Sequence, residues 1–275
     1  MDIIIVIATH KKYQMPEEDM YMPIQVGKAI KKDDLYEGDN TGDNISAKNP
    51  NYCELTAMYW AWKNLKADYL GLAHYRRHFC NNDHFLGIRR GTLKKVLSFE
   101  KASELLKKYD AILPQKRHYW IETIMSHYEH THKIDDLLKT REVISKIQPD
   151  YLPSFDKVLK RRSAHMFNMF VMKQNIFHDY ADWLFSILFQ LEKEIDITSY
   201  SSYEARVFGY ISEILFDVWL DKHQINCIEL PVMFMDKQNW AKKIYKFIKN
   251  KFSSNELNSV DNEGEIKRVR AADIR

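Results

Sequence analysis

Cations stand where short apolar runs of this sequence end. Residues 3–8 (IIIVIA) lead into Thr9-His10-Lys11, residues 69–73 (YLGLA) into His74-Tyr75-Arg76-Arg77, and residues 110–114 (DAILP) into Gln115-Lys116-Arg117. Arginine offers paired N–H donors that match phosphate oxygens, so Lys11, Arg76, Arg77, Lys116 and Arg117 together would make a cationic pocket for a phosphorylated ligand. Ordinary surface ion pairing is the competing use of such residues. No G-x-G-x-x-G follows the first run and no G-x-x-x-x-G-K-[ST] occurs, so a nucleotide would have to be held in another way. Further on, His127 and His130 fall on one helical face, with Glu129 or Asp135 near enough to suggest zinc, although the spacing is not H-E-x-x-H. Arg206 and Glu213 lie two helical turns apart with Gly209 between them. A glycine there lets a ligand or another backbone approach.

The elements that must position these groups follow from patterning. The continuous β-branched run at residues 3–8 reads as a strand buried on both faces. Residues 33–52, rich in Asp and Asn, read as a long ordered loop. Helical spacing covers residues 54–65, and a second buried strand ends at His74. A helix over 99–109, a strand over 110–114 closed by Pro114, and helices over 133–160 punctuated by Pro149 and Pro153 come next. Residues 165–172 (HMFNMFVM) form a third apolar stretch of strand length. Amphipathic helices over 176–193 and 203–222 precede a last strand over 227–230. This alternation predicts an α/β fold with a mostly parallel sheet and a large helical portion, its ligands beyond the carboxyl ends of the strands.

Composition sets outer bounds. With 41 basic and 38 acidic residues in 275, the net charge of +3 is too small for a surface devoted to nucleic acid. The three cysteines, Cys53, Cys80 and Cys227, show no metal spacing and suit a reducing compartment. No run of transmembrane length and no signal-peptide pattern occurs, so a cytoplasmic chain is expected, soluble or peripheral. Residues 240–252 (WAKKIYKFIKNKF) place Trp240, Ile244, Phe247 and Ile248 on one helical face among lysines and close on Phe252. That is the pattern of an interfacial membrane helix or of a helix packed on its domain. Residues 253–275 read as a disordered tail.

Four segments carry a resemblance: CELTAMYWAWKNLKADYLGLAHYRRHF from Cys53, SHYEHTHKIDDL from Ser126, SAHMFNMFVM from Ser163 and YEARVFGYISEILFDVWL from Tyr203. The chain resembles a bacterial domain-of-unknown-function family, DUF4422, of capsular and exopolysaccharide glycosyltransferases, over about residues 1–235. The resemblance implies a GT-A-like, Rossmann-like transferase domain over 1–235, followed by the basic helix (236–252) and the tail (253–275). It implies a nucleotide-sugar donor, a UDP-sugar first among the choices and galactose (pyranose or furanose) the guess for its sugar. The implied acceptor is a lipid-linked saccharide at the inner face of the membrane.

On this reading Thr9, His10, Lys11, His74, Tyr75, Arg76 and Arg77 bind the donor. GT-A enzymes often hold a divalent ion with Asp-x-Asp at the central strand end. This chain has His74-Tyr75-Arg76-Arg77 there, so two guanidinium groups are expected to neutralise the diphosphate without a metal. A metal bound through His74 is the alternative. Glu213 is the first candidate for the base that takes the acceptor hydroxyl proton, with Glu204 second and Arg206 beside them. His127, His130, His165 and Asn168 are expected to border the acceptor. A non-catalytic nucleotide- or carbohydrate-binding module with a degenerate site is the rival reading.

Overall fold

The structure is a computed structural model and describes residues 1–81 and 92–235. The opening apolar run forms β1 (Ile3–Thr9), paired in parallel with β2 (Tyr21–Gln25) on one edge and β3 (Tyr69–His74) on the other. With both edges paired and both faces covered, β1 has no solvated side, which is why its sequence does not alternate. β3 turns back through β4 (Arg77–Phe79). The other strands of this sheet are β5 (Ala111–Pro114), β8 (Phe170–Lys173), β9 (Cys227–Leu230) and β10 (Val232–Phe234). A separate two-stranded ribbon joins β6 (Arg117–His118) to β7 (Ser163–Ala164). The main sheet runs β2-β1-β3-β8-β5-β9, with β4 and β10 added at one end of β3. Of its strands only β4 and β8 run against the rest, so the sheet is mostly parallel, as expected.

Side-chain alternation divides the core. Val6, Ala8, Leu70, Leu72, Phe170 and Met172 face a thick helical layer, while Ile5, Ile7, Ala73, Ile112 and Val171 face the other side. The thick layer holds α1 (Asn49–Tyr52), α2 (Leu55–Asn64), α4 (Ile124–Thr131), α5 (Ile134–Ile147), α6 (Leu152–Leu159), α7 (Gln174–Glu194) and α8 (Val207–His223). The thin layer holds α3 (Phe99–Leu106). Among the described residues no helix is long and apolar enough to cross a membrane.

Several elements depart from the sequence expectation. The apolar stretch at 165–172 is a turn followed by a strand, because Phe167 and Asn168 take φ values of 80° and 50°, a left-handed conformation that no strand accommodates. Pro153 lies in the first turn of α6, where its missing N–H has no helical acceptor to lose. The helix expected from residue 203 begins at Val207, after a 3₁₀ turn over Glu204–Arg206. The long loop at 33–52 ends in a 3₁₀ turn and the single turn of α1. β2, β4, β6, β7 and β10 are not foreseen in the sequence pattern: β4, β6, β7 and β10 have only two or three residues, and the five-residue β2 carries Pro23 within it. The expected basic helix at 240–252 and the tail at 253–275 lie outside the described residues.

Candidate active site

Because β8 runs against β3, the segment leading into it, residues 165–169, reaches the sheet end where β1, β3 and β5 finish. The expected cations gather at this end. Burial, then the charges of Lys31, Lys11, Arg76 and Arg206, lowers the pKa of His10 to about 4. Burial, then Arg77 and Arg76, takes His74 down to about 2. Both imidazoles are therefore neutral at physiological pH, and positive charge at the site belongs to the lysines and arginines. Arg76 lies over the Tyr75 ring at 5.0 Å, and Arg77 over the rings of Phe167 at 4.4 Å and Phe234 at 5.6 Å. Stacking orients a guanidinium without using its N–H donors.

Two carboxylates oppose Arg77: Glu213 on α8, and Glu54 just before α2. Glu213 accepts the backbone N–H of Phe167 at 3.1 Å, and Glu54 accepts the Asn168 side-chain amide at 2.8 Å. Burial, reinforced by the Glu54 charge and opposed by Arg77, raises the carboxyl of Glu213 to about 7. Two acids that feel each other's charge, one with its pKa raised to about 7, are a pair whose protonation can differ near neutral pH.

The 165–169 turn is held firmly enough to keep two residues left-handed. Asn168 also donates to the Gly209 carbonyl at 3.3 Å and accepts from Ser212 Oγ at 3.0 Å. The backbone N–H of His165 donates to Asp217 at 2.8 Å, and its ring lies 2.7 Å from Asp217 Oδ1 and 3.1 Å from Glu229 Oε1. Burial opposes the charged imidazole, but these two carboxylates outweigh it and raise the His165 pKa. His165 and Asn168 are both nearly inaccessible to solvent, so each acts here by fixing the turn. A Cβ at Gly209 would lie 3.3 Å from Cys53 Sγ, so this glycine admits the chain at the end of α1.

The remaining sequence candidates have definite places. Thr9 is buried, and its hydroxyl donates to the Lys11 carbonyl at 2.7 Å, shaping the turn that presents His10 and Lys11. Tyr75 is buried, with its hydroxyl 3.4 Å from His10 Nε2. Arg206 does not pair with Glu213: its Nε contacts Cys53 Sγ at 3.1 Å, and its guanidinium sits over Tyr210 at 5.4 Å. Burial and the Glu54 charge keep that thiol protonated, with a pKa near 11. The Glu204 carboxylate accepts from the Ser201 N–H at 3.0 Å and hydroxyl at 2.8 Å. Lys116 pairs with Glu229 at 3.2 Å, whereas the charge of Arg117 acts on Glu213.

His127 and His130 do share a face, but their common partner is Glu122, at 2.8 and 2.9 Å, and neither Glu129 nor Asp135. Among the described residues no group of three or more His, Cys, Asp or Glu is placed to hold a metal ion. Sequence reasoning missed Glu54, Lys31, Phe167 and the stack of His132 on Tyr210 at 4.1 Å. Glu54 reads in the sequence only as the polar start of the 54–65 helical pattern, and nothing in that pattern shows its partners Asn168 and Arg77. A cavity of about 930 Å³ lies at the other end of β3 beside Asp68, Lys173 and His178, away from this convergence of charge.

Comparison with known proteins agrees with the fold. Residues 4–224 match the family described as Domain of unknown function (DUF4422). Among solved structures, the apo structure of WbbM, a bifunctional glycosyltransferase, is similar at 33% identity with a TM-score of 0.80. The match covers 86% of this chain and 46% of that one, so this chain spans about half the length of its structural relative. No curated protein matches the sequence.

Proposed function

The chain belongs to the DUF4422 family, and from that premise we propose that it is a GT-A-like glycosyltransferase. It moves a sugar from a nucleotide diphosphate, a uridine one with galactose as the first candidates, to a capsular or exopolysaccharide acceptor carried on a lipid. The observation that carries the reading is Glu213, a partly buried carboxyl that accepts the Phe167 N–H, has its pKa raised to about 7 and opposes Arg77 where Arg76, Arg206 and Lys11 also converge. The similarity to WbbM supports it.

In this mechanism Glu213 takes the proton of the acceptor hydroxyl as that oxygen attacks the anomeric carbon. The bond from carbon to the diphosphate breaks, and the nucleoside diphosphate leaves with the electron pair. Arg76 and Arg77, with Lys11 and Arg206 close by, hold the charge that develops on the leaving group. The strand-end position that carries Asp-x-Asp in many GT-A enzymes is cationic here, so the guanidinium groups take the role of a divalent ion. His127 and His130, tied to Glu122, form a polar lip for acceptor hydroxyls. The basic segment from Trp240 to Phe252 provides peripheral contact with the inner membrane face.

The test is incubation of the purified protein with a panel of nucleotide sugars, following release of the nucleoside diphosphate. Slow hydrolysis of one donor, lost in Glu213→Gln, is the expected result. Tight nucleotide binding without turnover of any donor, alone or with saccharide acceptors, would instead establish a binding module.

A further inference from the structure

Between β6 and α4 the chain turns through residues 119–122, and the tip of that turn is apolar. Trp120 and Ile121, at 80% and 62% exposure, are the two most exposed large hydrophobic side chains among the described residues. Trp60, Trp183 and Trp219 are all less than 5% exposed and Trp62 is partly buried, so Trp120 is the one exposed indole among the described residues.

The turn is rigid. Tyr119 N–H donates to the Arg162 carbonyl at 2.8 Å, Ile121 N–H to the Tyr119 carbonyl at 2.7 Å, and Arg162 Nη1 to the Trp120 carbonyl at 3.4 Å. Thr123 and Ser126 exchange hydrogen bonds as a capping box immediately afterwards. These bonds hold Trp120 at a φ of 58°, a left-handed conformation that is costly for a bulky residue. The result is an indole kept out in solvent.

The surroundings of the tip are cationic. Arg117 and His118 on β6 and Arg162 beside them are exposed, and among the described residues neither arginine has a carboxylate within ion-pair distance. The one acid of the turn, Glu122, has a side chain only 11% exposed and is occupied by His127 and His130. We infer that this turn is a membrane-contact surface, in which Trp120 and Ile121 enter the interface of an anionic bilayer and Arg117 and Arg162 meet lipid phosphates. Trp with a branched aliphatic neighbour inside a basic collar suits the boundary between headgroups and acyl chains. A saccharide platform would surround the ring with Asp, Asn or Glu to bind hydroxyls, and here the one acid is turned away. Tyr119 and Arg117 both lie within the electrostatic reach of Glu213, so a bilayer at this turn would face the candidate site. That last consequence rests on the proposed function, whereas the surface itself does not.

The experiment is sedimentation of the full chain with vesicles of phosphatidylcholine, with and without phosphatidylglycerol, at low and high salt. Trp120→Ser/Ile121→Ser should lower partitioning onto anionic vesicles at least about tenfold while leaving the circular dichroism and urea midpoint unchanged. Brominated acyl chains should quench the fluorescence of the parent protein more than that of Trp120→Phe. Undiminished vesicle binding by the double variant, no binding by the parent, or quenching of Trp120 by soluble oligosaccharides and not by brominated lipid would each overturn the inference. No donor or acceptor enters this assay, so its outcome is independent of whether the protein transfers sugar.

Discussion

Replacing Glu213 with Gln should make the protein more stable and less active at once. An acid whose pKa rises from an ordinary 4.5 to about 7 on folding disfavours folding, once ionised, by on the order of 3 kcal/mol. The folded pKa is the higher one, so the contribution to stability is complete below about pH 4.5 and is lost as pH rises through about 7. Gln cannot ionise, yet its side-chain oxygen can still accept the Phe167 N–H. In urea unfolding followed by tryptophan fluorescence, the variant should match the parent at about pH 4.5 and exceed it by up to about 3 kcal/mol at about pH 8. Sugar transfer should fall by about 10²–10⁴, the usual contribution of a positioned base, and the rise of the parent's rate with pH near 7 should vanish. A stability difference that stays flat from acid to alkaline pH would refute the desolvated-carboxylate argument. Unimpaired turnover would remove Glu213 from the reaction.

Three further outcomes are expected. Arg76→Ala and Arg77→Ala should each weaken nucleoside-diphosphate binding by about 1.5–3 kcal/mol, the range for hydrogen bonds to charged groups; titration calorimetry with unchanged affinity in both variants contradicts the diphosphate assignment. Transfer should survive excess EDTA, and its abolition followed by restoration with Mn²⁺ or Mg²⁺ would show that a metal does what is ascribed to the guanidinium groups. Asn168→Ala should destabilise the fold by about 1–3 kcal/mol, because it strands the partners Glu54 and Ser212 and puts alanine at positive φ. A denaturation midpoint equal to that of the parent would mean that the 165–169 turn does not depend on this amide.

What the sequence by itself determined is what depends on local composition. The β-branched run of β1, the apolar stretch of β3 and the helical spacing of α2, α7 and α8 were legible because burial on both faces or on one stripe constrains consecutive residues. The cations after β1 and β3 were legible too, since parallel strands place their carboxyl ends together. Tertiary structure alone decided the partners. Arg206 and Glu213 share a stretch of sequence, yet Arg206 turns to Cys53 while Glu213 faces Arg77. Glu54, some 159 positions before Glu213, joins it through the Asn168 turn, whose left-handed residues interrupt an apolar run that otherwise reads as strand. His127 and His130 meet Glu122 because the 119–122 turn folds back on α4. The pKa of Glu213 belongs to the same class: it comes from desolvation and from charges brought by other segments, and residue type and spacing encode neither until the chain has packed.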